Sequence, residues 1–306
     1  MIELSLLSVK NIKNIIDVFA PIVTTVTFEF SKDKFIVSSI DPSHISLFYV
    51  LFEKCKVLNY SCTKPQKCVL YVKTLQTILH TAENNDEVYI KIESGEIEKM
   101  ILFLQSKERI HKYEIPLLND DSEILQPGEL EYNVEFTLSS RTFFQTCNTF
   151  SKICSEDIII LSKCNEIYLK GISDMCSLKI VFKDTNFKES NNSDSKYEYT
   201  DEDKKVGTEE DEVNTEGTNK DNKKSEENAE NNKEESYCNS SSFKMIKNDI
   251  GKFEISFSLA YIQTVSKLHS ITDEVRICVS ENIPLLVSYE FDEGEAKFYI
   301  APKILE

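Results

Sequence analysis

The chain has 306 residues, 41% of them hydrophobic, which is too long for a mini-protein core and comfortable for two ordinary domains. Its 35 Lys and Arg stand against 52 Asp and Glu, a net charge of −17, which argues against a generally basic nucleic-acid binder but leaves room for a locally positive face. No apolar run approaches the ~18–20 residues of a bilayer span, so no membrane partner is expected.

The N-terminus, Met1-Ile2-Glu3-Leu4, carries no basic region, so no secretory signal is expected. The first helical stretch, Lys10–Ala20, carries Ile12, Ile15, Ile16 and Phe19 on one stripe. Val26-Thr27-Phe28-Glu29-Phe30 alternates apolar and polar, as strands do. The nine cysteines include no CxxC pair and read as reduced, mostly buried thiols. Cys55, Cys62 and Cys68 lie close together, but their spacing does not suit zinc, and no metal or cofactor is expected. A second helix is predicted over Val72–Ala82, with Leu75, Ile78, Leu79 and Ala82 inward, then a strand at Val88–Ile92. Two more helices are predicted over Ser139–Ile153 and Ser258–His269.

Between Lys188 and Ser241 the composition changes. These 54 residues hold 17 Asp and Glu against 8 Lys and contain no Leu, Ile, Met or Phe. Such a segment buries too little apolar surface to offset its ordering entropy, and is expected to be a disordered acidic insertion. The rest repeats itself. Ser31-Lys32 recurs as Ser162-Lys163, Ser46-Leu47 as Ser177-Leu178, and Asp86-Glu87-Val88 as Asp273-Glu274-Val275, the last pair displaced further by about the length of the insertion. The chain thus reads as a duplicated unit of helix, strands, helix, strands, in the α+β class: antiparallel sheets with short helices on one face. The expected boundaries are a first domain over 1–117, a connector over 118–130, and a second domain over 131–306 that contains the insertion 188–241.

The four helical stretches contain a single acid, Asp17, beside Lys10, Lys13, Lys73, Arg141, Lys152 and Lys267, with His80 and His269. The signal is depletion of acids rather than enrichment of bases. If the four faces converge, they make a mildly positive surface inside a negative protein, suited to sequence-independent phosphate contact.

Val37-Ser38-Ser39-Ile40-Asp41-Pro42-Ser43-His44-Ile45-Ser46-Leu47 resembles the strand–turn–strand signature of the eukaryotic sliding clamps, the proliferating cell nuclear antigen family. The tail Tyr299-Ile300-Ala301-Pro302-Lys303-Ile304 and the stretch Asp273–Tyr289, with Ile283-Pro284-Leu285, are similar to that family too, and Tyr132 stands where its second domain begins. The resemblance covers nearly the whole chain except the insertion. It implies a ring-forming DNA clamp fold, a homotrimer around duplex DNA, a polymerase processivity role in the nucleus, and no catalysis. DNA polymerase, clamp loader, flap nuclease and ligase would dock through short peptide motifs.

Carried over by position, Lys13, Lys267 and Arg109 match DNA-facing residues of the family, and His80 replaces a lysine. Lys10, Lys73, Arg141 and Lys152 would partly compensate where Ala20, Thr77, Gln145 and Asn148 replace basic residues. The partner-peptide groove would use Ile40, His44, Ile45, Leu47, Leu125, Pro284, Tyr299, Ala301, Pro302 and Lys303. Pro127-Gly128 departs from the family's apolar-Pro pair in the connector. Ring closure would pair Arg109–Ile115, anchored by Ile110, Tyr113 and Ile115, with Cys176–Phe182, anchored by Cys176, Leu178 and Ile180. Lys163 matches the family's modifier-acceptor lysine.

Three other readings compete: an enzyme, a checkpoint-type clamp subunit, and an adaptor with no role on DNA. Asp41, Ser43 and His44 have the residue types of a nucleophilic triad but crowd into one turn without an elbow motif, and only seven glycines occur, with no P-loop and no HExxH. A checkpoint-type clamp subunit, working only in a heterotrimer, would use the same fold.

Overall fold

The structure is a computed structural model that describes residues 1–93, 98–119, 127–128, 130–153, 156–163, 166–174, 176–184, 243–249 and 252–303. The acidic insertion 188–241 and Leu125 lie outside the described residues.

The first half of the chain runs β1 (Ile2–Leu6), α1 (Lys10–Phe19), β2 (Thr25–Phe30), β3 (Lys34–Ile40), β4 (Ser46–Glu53), β5 (Asn59–Cys62), β6 (Gln66–Tyr71), α2 (Val72–Leu79), β7 (Glu87–Ile92), β8 (Lys99–Gln105) and β9 (Ile110–Pro116). The second runs β10 (Val134–Ser139), α3 (Ser140–Ile153), β11 (Asp157–Lys163), β12 (Glu166–Ile172), β13 (Ser177–Lys183), β14 (Phe243–Asn248), β15 (Lys252–Ser258), α4 (Leu259–Ser266), β16 (Glu274–Val279), β17 (Leu285–Phe291) and β18 (Gly294–Ile300). The four helices fall on the four periodic stretches, with the last one tightening into a 3-10 turn at Lys267–Ser270. Helix α1 buries Ile12, Ile15, Ile16, Val18 and Phe19, and α2 buries Val72, Leu75 and Leu79. Each thus turns one apolar face to the sheets and a polar face outward.

All strand pairs are antiparallel. They form a five-stranded sheet, β5-β1-β7-β8-β9; a four-stranded sheet, β13-β12-β11-β15; and a nine-stranded sheet, β14-β10-β16-β17-β18-β4-β3-β2-β6. The nine-stranded sheet belongs to both halves. Its joint is the β18–β4 pair, in register from Gly294↔Phe52 to Ile300↔Ser46. Aromatic rings cross that joint: Phe48 meets Phe298 edge-on at 5.4 Å, and Phe52 meets Phe291 at 5.4 Å. Pairs of this kind contribute ~0.5–1.5 kcal/mol each beyond the area they bury. Gly294 is required at its end. A Cβ there would lie 1.9 Å from the Leu51 carbonyl oxygen, so only glycine lets β4 approach. One hydrophobic core runs through both halves.

The ladders refine the repeat. Val26 and Phe28 of β2 occupy the places of Ile158 and Ile160 in β11, and Phe35 and Val37 of β3 those of Ile167 and Leu169 in β12, pairing for pairing. After the turn, Phe48, Val50 and Phe52 of β4 correspond to Leu178, Ile180 and Phe182 of β13. The Ser46-Leu47/Ser177-Leu178 match is therefore one residue out of structural register. A one-residue slip exchanges the two faces of a strand, and the buried side chains decide against it. In the later part, β7 matches β16, Met100 and Leu102 match Leu285 and Val287, and Tyr113 and Ile115 match Phe298 and Ile300.

Three buried cysteines behave as small apolar side chains. Burial pushes the thiols of Cys68 and Cys147 up to about 12 and that of Cys278 up to about 11. Cys55 is exposed, and Cys62 donates to the Lys64 carbonyl at 3.0 Å. Among the described residues, no helix is long and apolar enough to cross a membrane.

Candidate DNA-facing layer, partner groove and strand edges

The helices make one layer. α2 packs on α1, α1 on the 267–270 turn that follows α4, and α3 on α4. Side-chain bonds stitch it together: Asn14 donates to Ser270 Oγ at 3.0 Å, Gln263 to Ser151 Oγ at 2.9 Å, and Phe144 stacks on His269 with ring centres 4.0 Å apart. The only acid in the four helices is held in place by two neighbouring side chains. Asp17 Oδ1 accepts from Gln76 at 2.8 Å and lies 2.7 Å from His80 Nε2. His80, placed by the sequence among DNA-facing cations, is thus turned toward Asp17.

Of the other basic residues proposed for DNA, Lys10, Lys73, Arg141, Lys152 and Lys267 are exposed on the layer. Lys13 is half-buried, and its ammonium donates to the Ala82 carbonyl at 3.2 Å beyond the end of α2. Arg109 stands just before β9, with Glu83 at 3.8 Å. The layer therefore offers scattered cations on long stems, with Gln145, Thr149 and Asn148 between them. That geometry suits non-specific contact with a polyanion and has no bidentate fork aimed at base edges.

The second surface lies on the opposite face of the nine-stranded sheet. Ile40 faces Leu47, Leu47 faces Tyr299, and Tyr299 faces Leu286, so four half-buried apolar side chains form a row across four neighbouring strands. Leu286 was not among the sequence candidates. Leu285, Leu286 and Val287 form a continuous apolar run, so the sequence alone does not mark which of them faces outward. Beside the row stands the turn from Asp41 to Ser46. Its Asp41 carboxylate is buried and accepts from Ser43 N at 3.0 Å, Ser46 N at 2.5 Å, Ser46 Oγ at 3.1 Å and Tyr261 Oη at 2.9 Å. Burial alone would raise this carboxyl. The bonds from Ser46, Tyr261 and Ser43 outweigh it and hold the group below the usual carboxylate range. With its carboxylate spent on the turn and on α4, Asp41 has no imidazole partner. His44 instead takes a left-handed backbone (φ 56°) at the exposed tip.

The tail borders the row. Ala301 N donates to the Ile45 carbonyl at 2.8 Å, and Lys303 N to the Ser256 carbonyl at 2.8 Å, while the Lys303 ammonium pairs with Asp157. Ile45 is exposed, and Pro284, Ala301 and Pro302 are half-buried. Pro284 is fixed from behind, its carbonyl accepting from Tyr132 Oη at 3.0 Å. Burial pushes the Tyr299 hydroxyl up to about 12, so it stays a neutral donor at the groove floor. Tyr261, which holds the turn from the other half of the chain, was missed. No local pattern marks a partner 220 residues away.

The remaining candidates sit at strand edges. β9 ends the five-stranded sheet and β13 ends the four-stranded one. Ile110 is exposed, Tyr113 is half-buried with its hydroxyl 2.9 Å from Thr81 Oγ1, and Cys176 is exposed. Leu178 and Ile180 pack partly on the core. Ile115 is 2% exposed, so its side chain belongs to the core. Lys163 is exposed at the end of β11.

Comparison with known proteins accords with this architecture. The family model "Proliferating cell nuclear antigen, N-terminal domain" matches residues 1–124, and "Proliferating cell nuclear antigen, C-terminal domain" matches residues 226–304. The chain is 22% identical over 307 residues to the proliferating cell nuclear antigen of Caenorhabditis elegans, covering 99% of this chain and 97% of the relative. It is 22% identical over 308 residues to that of Chaetomium thermophilum, covering 99% and 98%. The crystal structure of the Entamoeba histolytica protein superposes with a TM-score of 0.74 at 18% identity, covering 99% of both chains.

Proposed function

The chain belongs to the proliferating cell nuclear antigen family, the sliding clamps of DNA replication and repair, and from that premise we propose that it acts as a homotrimeric processivity clamp in the nucleus. Three copies would close head to tail around duplex DNA. The clamp domains would span 1–117 and 131–306, joined by the connector 118–130.

One observation carries this reading. Two of the sheet-edge strands, β9 and β13, are the counterparts of β18 and β4, the strands that already join the two halves of the chain. What the molecule does once internally, it is built to do again with a neighbour. Head-to-tail pairing of unlike edges generates a ring when the rotation closes.

In that ring the helical layer would face the duplex. Lys10, Lys13, Lys73, Arg109, Arg141, Lys152 and Lys267 would make mobile phosphate contacts, with His80 tempered by Asp17. The row Ile40, Leu47, Tyr299 and Leu286, with Ile45, His44, Pro284 and the tail Ala301-Pro302-Lys303, would take short peptides of polymerase, clamp loader, flap nuclease and ligase. Such a peptide would add apolar plugs and backbone pairing. Lys163 would be the acceptor of a protein modifier. The clamp itself would do no chemistry.

Native mass and a retention assay on DNA test the reading together. The expected result is a mass of three identical chains, with loaded protein retained on circular DNA and lost from linear DNA. A stable mixed assembly with a different subunit would instead point to a checkpoint-type heterotrimer. Equal retention on both DNA forms would remove encirclement.

A further inference from the structure

Given the ring reading above, on which this step rests, the fold also fixes which residues meet at each subunit joint. Core positions match without a slip: Tyr113 and Ile115 with Phe298 and Ile300, and Leu178, Ile180 and Phe182 with Phe48, Val50 and Phe52. On the outer face of the internal joint, Glu295 faces Leu51, Lys297 faces Tyr49 and Tyr299 faces Leu47. The same register at the free edges sets Ile110 opposite Val181, Lys112 opposite Lys179 and Glu114 opposite Ser177. On the inner face it sets Tyr113 opposite Leu178.

An independent observation agrees with this register. Ile110 and Val181 are 61% and 47% exposed, two large apolar side chains left in water on the two free edges. The transferred register puts them against each other. A shift of two residues, the smallest that keeps the faces, would set Ile110 against Lys179 or Lys183 instead.

The neighbouring rung is less favourable. Where the internal joint has Lys297 against Tyr49, the free edges bring Lys112 to Lys179. Glu114 gives only shared relief, being bonded already to Lys112 at 2.8 Å and Lys99 at 2.6 Å. Lys179 lies over the Tyr168 ring, 4.4 Å from its centre. One rung outward, Lys183 would come near Glu108 but is already held by Glu166 at 2.7 Å. Like charges directly opposite on a sheet weaken pairing.

We propose that each subunit joint is set by an Ile110–Val181 contact and weakened by a Lys112–Lys179 rung, a built-in weak point at every seam of the ring. The test uses the full chain. Ile110→Cys with Val181→Cys should give oxidised cross-linked oligomers on non-reducing gels, while Ile110→Cys with Lys179→Cys should give few, each measured against its single variants. Lys179→Glu should tighten trimer formation in sedimentation by roughly two- to fivefold per joint. Lys179→Gln should fall between it and the parent, and the gain should shrink at high salt. A trimer that cross-links through the shifted pair instead, or whose Lys179→Glu variant associates no better than the parent, overturns this register while leaving the ring intact. A parent chain that stays monomeric at every concentration, with no cross-link in either pair, overturns the ring reading and this inference with it.

Discussion

Replacing Asp41 by Asn tests how the groove is held. The carboxylate accepts three bonds within its own turn, from Ser43 N, Ser46 N and Ser46 Oγ, and one from Tyr261 on the far half. An amide keeps one acceptor oxygen and turns an NH2 toward the remaining donors. A tyrosine hydroxyl can rotate to accept from it, but a backbone N–H cannot. Hydrogen bonds to charged groups contribute ~1.5–3 kcal/mol each and leave a buried donor stranded when broken, so Asp41→Asn should destabilise the fold by about 2–3 kcal/mol. Tyr261→Phe should lose about 1.5 kcal/mol, and the double variant less than the sum, because the two share a bond. Urea unfolding at neutral pH measures all three. The acid dependence supplies a second reading. The folded carboxyl is held below its usual range, so its contribution is complete above the unfolded value of about 4 and is lost as pH falls through the folded value. The gap between parent and Asp41→Asn should therefore close below about pH 4. A neutral-pH gap under ~0.5 kcal/mol, or one that acid leaves unchanged, would refute the claim that this carboxylate holds the turn.

Gly294→Ala drives a Cβ into the Leu51 carbonyl, so it should destabilise the chain by at least ~3 kcal/mol in thermal unfolding, as severe overpacking does. Ile45→Arg should abolish binding of an apolar docking peptide in calorimetry while leaving the melting temperature within about a degree, since Ile45 is exposed. Lys267→Ala should lower the slope of log affinity against log salt on DNA by at most ~0.9, one phosphate contact. Asp17→Asn should strengthen DNA retention at low salt by removing the only carboxylate of the helical layer.

The parts legible in the sequence were those with local signals. The stripes of Ile12, Ile15, Ile16 and Phe19, and of Leu75 and Leu79, located two helices because burial repeats every turn. The scarcity of acids, with Asp17 alone across four helical stretches, marked the layer as distinct. The duplication was legible too, but shared dipeptides tracked it one residue away from the true strand register. Dipeptides do not record which face of a strand is buried; Phe48 and Leu178 do. The joint between Phe48 and Phe298 and the bond from Tyr261 to Asp41 are long-range contacts with no trace in local pattern. That Ile115 points into the core was not legible, because alternation alone gives two faces and does not say which one the core has taken. Leu286 was overlooked because it sits inside a continuous apolar run.

The nine-stranded sheet has a mechanical consequence. Because backbone ladders run unbroken from one half of the chain to the other, and aromatic rings meet edge-on across the joint, the chain should flex little in its middle. If three such chains close as proposed, the assembly would be prised apart where one copy abuts the next, and the ease of doing so would be set by a handful of side chains at those ends.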